Sequence, residues 1–125
     1  MRKRENLQPV NWYKIAQNKF LGYKIVGKDT KTGVTYSIYN KKPISIQMGV
    51  IDKYEGIGTF LGTSKQFCLD YYSCGTEDED GELLLTYEYD LNNLIKGDPS
   101  VNNGEVQVSE ATLIDIEEIN KEELC

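Results

Sequence analysis

The stretch GELLLTYEYD at residues 81–90 limits the fold of this chain more than any other. Leu83, Leu85, Tyr87 and Tyr89 alternate with Leu84, Thr86, Glu88 and Asp90, which is the two-residue period of an extended strand. The first half is apolar on both faces and the second half on one only. A strand of that kind must be covered from both sides at one end, so it reads as a central strand that emerges at an edge or surface.

The rest of the chain supplies neighbours for it. Lys24 to Lys28 is strand-like, Thr30-Lys31-Thr32-Gly33 is turn chemistry, and Val34, Tyr36 and Ile38 alternate with polar residues, which predicts a β-hairpin. Pro43 restarts the chain, and Ile44, Ile46 and Met48 line one face of an expected third strand. EGIGTFLG at 55–62 reads as a short strand kinked by glycines, because Gly56, Gly58 and Gly62 fit neither GxGxxG nor GxxxxGK[ST]. Val106 and Val108, then Leu113, Ile114 and Ile116, form a final extended segment.

Helical spacing occurs in two places. Trp12, Ile15, Ala16 and Phe20 suggest an amphipathic helix, with Asn11 as N-cap and Gly22 as its stop. Thr63 and Gln66 have capping-box spacing and open a helix through SKQFCLDYYS, where Phe67 meets Tyr71 and Cys68 meets Tyr72. Asp90 caps a single helical turn in DLNNL before the break at Gly97 and Pro99. The expected fold is α+β: a single domain over residues 1–125, a mainly antiparallel sheet with one or two short helices on one face. Residues 1–10 and 117–125 read as frayed ends.

Charge is divided unevenly along the chain. Residues 1–66 hold 12 Lys/Arg and 4 Asp/Glu, and residues 67–125 hold 2 and 16. Strands from the two halves interleaving in one sheet would place opposite charges across from each other, and a basic arm joined to an acidic tail is the other reading. The apolar runs are far shorter than the roughly twenty residues a membrane helix takes. MRKRENLQPVNW is basic without an apolar stretch behind it, unlike a secretory signal. Cys68, Cys74 and Cys125 match no disulfide framework and no CxxC pair, which predicts three reduced thiols and a cytoplasmic setting.

There is no histidine. That removes Ser-His-Asp and Cys-His catalysis and imidazole metal sites together. The acidic run EDEDGE at 77–82 places Asp78, Asp80 and Gly81 at EF-hand positions 3, 5 and 6, but Thr76 falls at position 1 and Tyr87 at position 12. It therefore reads as a solvated turn between helix and strand, and no metal or cofactor is expected. Cys68 and Cys74 lack the arginine of a phosphatase Cys-x5-Arg, and Cys68 reads as a small buried helix residue. Glu88 and Asp90 share a strand face, with side chains roughly 7 Å apart. Tyr13, Tyr23, Tyr36 and Tyr39 lie in the basic half and form a weak stacking patch, whereas Tyr87 and Tyr89 sit among acids that would repel phosphate. A strongly acidic face that occupies a basic groove is a further option.

From Gly56 onward the blocks GIGTFLGTSKQFCLDYY, LLTYEYDLNNLIKGDP and GEVQVSEATLIDI resemble, in order, an uncharacterised small domain of tailed-phage and bacterial proteins, rIIB-type phage proteins among them. Two departures stand out: Gly58-Thr59-Phe60 lacks the histidine common in the first block, and Glu105 and Glu110 replace basic residues of the third. The resemblance implies a compact α+β domain in a phage or mobile-element context and carries over no site residues. The sequence reading is thus a small cytoplasmic accessory protein that binds a protein partner without catalysis, with Tyr87, Glu88, Tyr89 and Asp90 as binding residues. Nucleic acid and membrane are not expected partners. The alternatives are an enzyme or degenerate enzyme using the Glu88 and Asp90 carboxylates, and a virion component.

Overall fold

A computed structural model describes residues 18–77 and 79–124. The strands are β1 (Lys19–Lys28), β2 (Thr35–Ser37), β3 (Ile51–Lys53), β4 (Thr59–Gly62), β5 (Gly81–Asp90), β6 (Leu94–Lys96), β7 (Glu105–Val108) and β8 (Glu110–Glu118). Two helices accompany them, α1 (Lys65–Tyr72) and α2 (Lys121–Leu124). Every pairing is antiparallel, in the order β3-β8-β5-β1-β4-β7-β6, with β2 also on β1. The fold is mainly antiparallel sheet with a few short helices, as the sequence pattern predicts.

That order cannot be flat. In a flat sheet four strand spacings, roughly 19 Å, would separate β8 from β7. Yet Ser109 alone joins them, and two Cα steps reach only about 7 Å. The sheet therefore curls until β7 runs into β8 as one bent strand. Ser109 sits at the bend, where its N–H donates to the Asn93 carbonyl at 2.9 Å and its own carbonyl accepts from Tyr54 N–H at 2.8 Å.

Curling gives the sheet an inside. Val26, Leu61, Leu83, Leu85, Tyr87, Tyr89, Val106, Val108, Ala111 and Leu113 form one buried cluster there. On the outside, Ile25 and Leu84 pack against Cys68 of α1, with Tyr23, Phe67, Leu69 and Tyr72 around them. Leu85 thus faces the enclosed core while its neighbour Leu84 faces a helix, which is why this strand is apolar on both sides. β1 and β5 pair along their whole length, from Lys19 opposite Asp90 to Lys28 opposite Gly81.

Close approach is bought with glycine at two places. The Tyr36 ring lies over Gly27, where any Cβ would collide with it. Gly58 has φ +78° and its α-carbon abuts the Val108 carbonyl, so both conformation and space exclude a side chain. On α1 the N-cap is Ser64, whose Oγ accepts from Phe67 N–H at 3.1 Å. This is one residue beyond the Thr63 cap expected from the sequence, and Gln66 reaches forward to Asp70 at 2.7 Å instead of back to a cap.

Three further expectations change. The helix expected through Trp12, Ile15 and Ala16 lies outside the described residues, but Phe20 and its stop Gly22 belong to β1. Ile44 and Ile46 pack on the core without forming a strand; Pro43 makes only an isolated bridge with Tyr36, and β3 begins at Ile51. Proline has no N–H to extend a ladder, so the alternation there reports facing and not pairing. The end of the chain, expected to fray from residue 117, continues β8 to Glu118 opposite Leu83, and α2 follows.

The charged halves interleave. Lys19 stands opposite Asp90 and Lys53 opposite Glu110, and ion pairs join Lys19 to Glu88 at 3.8 Å and Lys65 to Glu117 at 2.7 Å. Of the thiols, Cys68 is free and buried, and burial pushes it up to about 11. Cys74 is disulfide-bonded, against the expectation of three reduced thiols.

Leu113 faces the core opposite Tyr87, and the next pair is Asp115 with Thr86, so Ile114 bulges out of the ladder. Leu113 is 0% exposed and Ile114 is 40% exposed. Leu113→Ala should cost about 2–5 kcal/mol in urea denaturation, whereas Ile114→Ala should cost less than about 1 kcal/mol; equal losses would contradict the bulge. Denatured without reductant, the chain should titrate fewer than three thiols, and all three after reduction.

Candidate functional site

The four residues expected to bind do not form one surface. Tyr87 and Tyr89 are 3% and 2% exposed and face the enclosed core, and burial pushes both phenols up to about 12. Tyr54 hydrogen-bonds to the Tyr87 hydroxyl, and Tyr89 stacks on Phe20 with centroids 6.2 Å apart. Glu88 and Asp90 point outward, as strand alternation requires. Asp90 Oδ1 accepts from Asn92 N–H at 2.8 Å and so caps the 3-10 turn Leu91–Asn93, as expected. Glu88 and Asp90 line a shallow cleft with Lys19, Glu110 and Thr112. The alternation already visible in the sequence places Tyr87 and Tyr89 on the Leu83–Leu85 face; reading the four as one contact surface overlooked it.

The interior also holds a cation. Lys24 alternates inward between Gly22 and Val26, and its Nζ donates to Thr59 Oγ1 at 2.8 Å. Burial lowers its pKa, and the nearby Asp52 carboxylate opposes that shift. The pair links β1 to β4. No sequence signal singled out Lys24, because a lysine in an alternating strand reads as solvent-facing.

The acidic connection is more than a solvated turn. Glu82 is 1% exposed, and its carboxylate accepts from Cys74 N–H at 2.9 Å, Thr76 N–H at 3.2 Å and Thr76 Oγ1 at 2.9 Å. One buried anion therefore satisfies the donors of the loop that precedes it. Above it, Lys121 Nζ donates to Thr76 Oγ1, the Glu77 carbonyl and the Asp80 carbonyl, at 2.8, 2.8 and 2.9 Å. The Asp80 carboxylate accepts from Tyr36 OH at 2.5 Å. The cation held by these loop oxygens is the protein's own ammonium, delivered by α2. Asp78 lies outside the described residues, and Glu77 and Glu79 are exposed.

An open edge lies where β8 leaves its neighbour β3. β3 pairs with β8 only at Glu110, Ala111 and Thr112, and Gly49 N–H adds one bond to the Leu113 carbonyl at 2.8 Å. Among the described residues, no strand pairs with that edge from Ile114 to Glu118. Beside the edge runs an open groove of about 540 Å³, with Val34, Ile44, Ile46, Leu83 and Ile116 along it. Asp115, Glu117 and Glu118 lie on the edge strand itself. An unpaired edge offers a row of N–H and C=O groups, and such edges are commonly guarded by charge.

Compared with protein-family models, with curated proteins and with solved structures, the chain has no match.

Glu82→Ala should leave three part-buried donors without their acceptor and cost about 2–3 kcal/mol in urea denaturation. Glu77→Gln with Glu79→Gln should stay within about 0.5 kcal/mol of the parent. A small effect at Glu82 would show that the loop does not depend on its carboxylate.

Proposed function

We propose that this protein is a non-catalytic binding module that takes an extended, basic segment of a protein partner along the free edge of β8. The observation that carries the reading is the Ile114–Glu118 edge, with which no strand among the described residues pairs, beside an apolar groove. Strand addition draws affinity from main-chain hydrogen bonds and specificity from pockets for alternate side chains, and this surface offers both. The carboxylates of Asp115 and Glu118 select the sign of the partner, and a net charge of −6 favours approach of a basic chain.

The setting we propose is the one the resemblance implies, a small accessory protein of a phage or mobile element acting in the host cytoplasm. Among the described residues no helix is long and apolar enough to cross a membrane. In a reducing cytoplasm the Cys74 disulfide would be a transient or redox-controlled bond and not a permanent staple. The enzyme reading keeps one supporting feature, the cleft that Glu88 and Asp90 share with Glu110, but Asp90 is already committed to capping a turn.

The test is hydrogen exchange on the complex recovered by affinity purification. Protection on binding should concentrate on the amides of residues 113–118, and Ile116→Asp, at a side chain already 37% exposed, should abolish partner recovery with little change in Tm. Protection elsewhere, or undiminished recovery by Ile116→Asp, would remove the edge from the mechanism.

A further inference from the structure

A second cleft lies on the outer face of the sheet, between β1, β4, the end of α1 and the turn that follows β2. Its walls are the rings of Tyr23, Tyr39, Phe60 and Tyr72, with Glu105 beside them. The ladder explains the grouping. Tyr23 and Glu105 both stand opposite Gly62, and Phe60 is two residues before that glycine, so all three side chains share the outer face. Gly62 lets α1 come down onto the sheet at one end of the cleft, since a Cβ there would collide with Cys68 Sγ.

The rings are held by one another and by the acid. The Tyr72 hydroxyl donates to the Glu105 carboxylate. Tyr39 meets Tyr72 edge-on, with centroids 5.7 Å apart and planes at 69°, and Phe67 supports Tyr72 from behind at 6.1 Å. Tyr39 is 68% exposed and Phe60 is 40% exposed, so the mouth is open to a ligand.

We propose that this cleft binds the ammonium group of a lysine side chain presented by a protein partner. Aromatic faces carry partial negative charge and attract a cation set against them. A carboxylate has about four acceptor positions, and the Tyr72 hydroxyl uses one, which leaves Glu105 able to take an ammonium N–H. The free volume is about 20 Å³, room for one small head group and not for a ring. An anion would be repelled by Glu105, and a neutral apolar group would desolvate that carboxylate without compensation. Lys24 also lines the cleft, but its ammonium is bonded to Thr59 Oγ1 on the inner side of the sheet, so it does not fill the cage. The inference does not depend on the β8 edge and can stand or fall without it.

The test uses the full chain and two probes, Nα-acetyl-lysine amide and the same molecule acetylated on Nε, which has the same stem and no charge. Titration followed by NMR should shift the Tyr39, Phe60 and Tyr72 signals saturably with the charged probe, and at least about tenfold more weakly with the neutral one. Glu105→Gln and Tyr39→Ala, the latter at the most exposed ring, should each weaken binding of the charged probe about tenfold or more with Tm little changed. Equal binding of both probes would reduce the cleft to an apolar niche. Absence of saturable shifts, or undiminished binding by Glu105→Gln, would overturn the proposal.

Discussion

The bend at Ser109 is the constraint on which the other parts rest. It turns one continuous strand into two walls of an enclosure, so that Val106 and Val108 on one side of it and Ala111 and Leu113 on the other bury into the same core. Without the bend, β5 would have an apolar face with nothing to cover it. With it, Leu85 and Tyr87 are enclosed, and α1 needs to cover only the outer patch around Ile25 and Leu84. The two hydrogen bonds of Ser109, to Asn93 and from Tyr54, tie the ends of the strand path to the corner itself.

The fold buries two charged groups, Lys24 and Glu82, and matches both, while the Thr86 and Tyr89 hydroxyls are buried without a hydrogen-bond partner among the described residues. Lys24 finds Thr59 with Asp52 nearby, and Glu82 finds the backbone of its own preceding loop. Lys121 then closes that loop from above. Lys24 with Thr59 and Lys121 with the 76–80 loop join parts of the chain distant in sequence, while Glu82 is bound locally by its own preceding loop. Burial of an unmatched charge costs far more than that of a matched one, and the uneven charge distribution coexists with one sheet because strands of the two halves pair, with Lys19 opposite Asp90 and Lys53 opposite Glu110.

What the enclosure leaves outside is where function can act. Among the described residues, the β8 edge stays open where β3 is too short to follow it. The aromatic cleft is the counterpart on the outer face, formed because two glycine-permitted approaches let α1 and the turn after β2 draw close to β1. Both surfaces bring carboxylates to positions that suit a cationic protein partner, and neither offers the positive field a nucleic acid would need.

The pattern of apolar residues along 81–90 by itself determined that this chain builds a sheet with a doubly covered central strand, and the same two-residue period assigned Tyr87 and Tyr89 to the inside. The turn chemistry at 30–33 and the cap at Asp90 are equally local and were legible for that reason. The length of the tail strand, the missing strand at Ile44–Met48 and the roles of Lys24 and Lys121 were not, because each depends on a partner distant in sequence, and the role of Glu82 was not because it depends on how its own loop folds back over it. The stretch CGTEDEDGE reads as solvated acid until Glu82 is seen turned under its own loop and Lys121 seen seated on top. Periodicity reports which way a side chain faces; what it meets there is decided by the curl of the sheet, since only the curl determines which strand stands opposite.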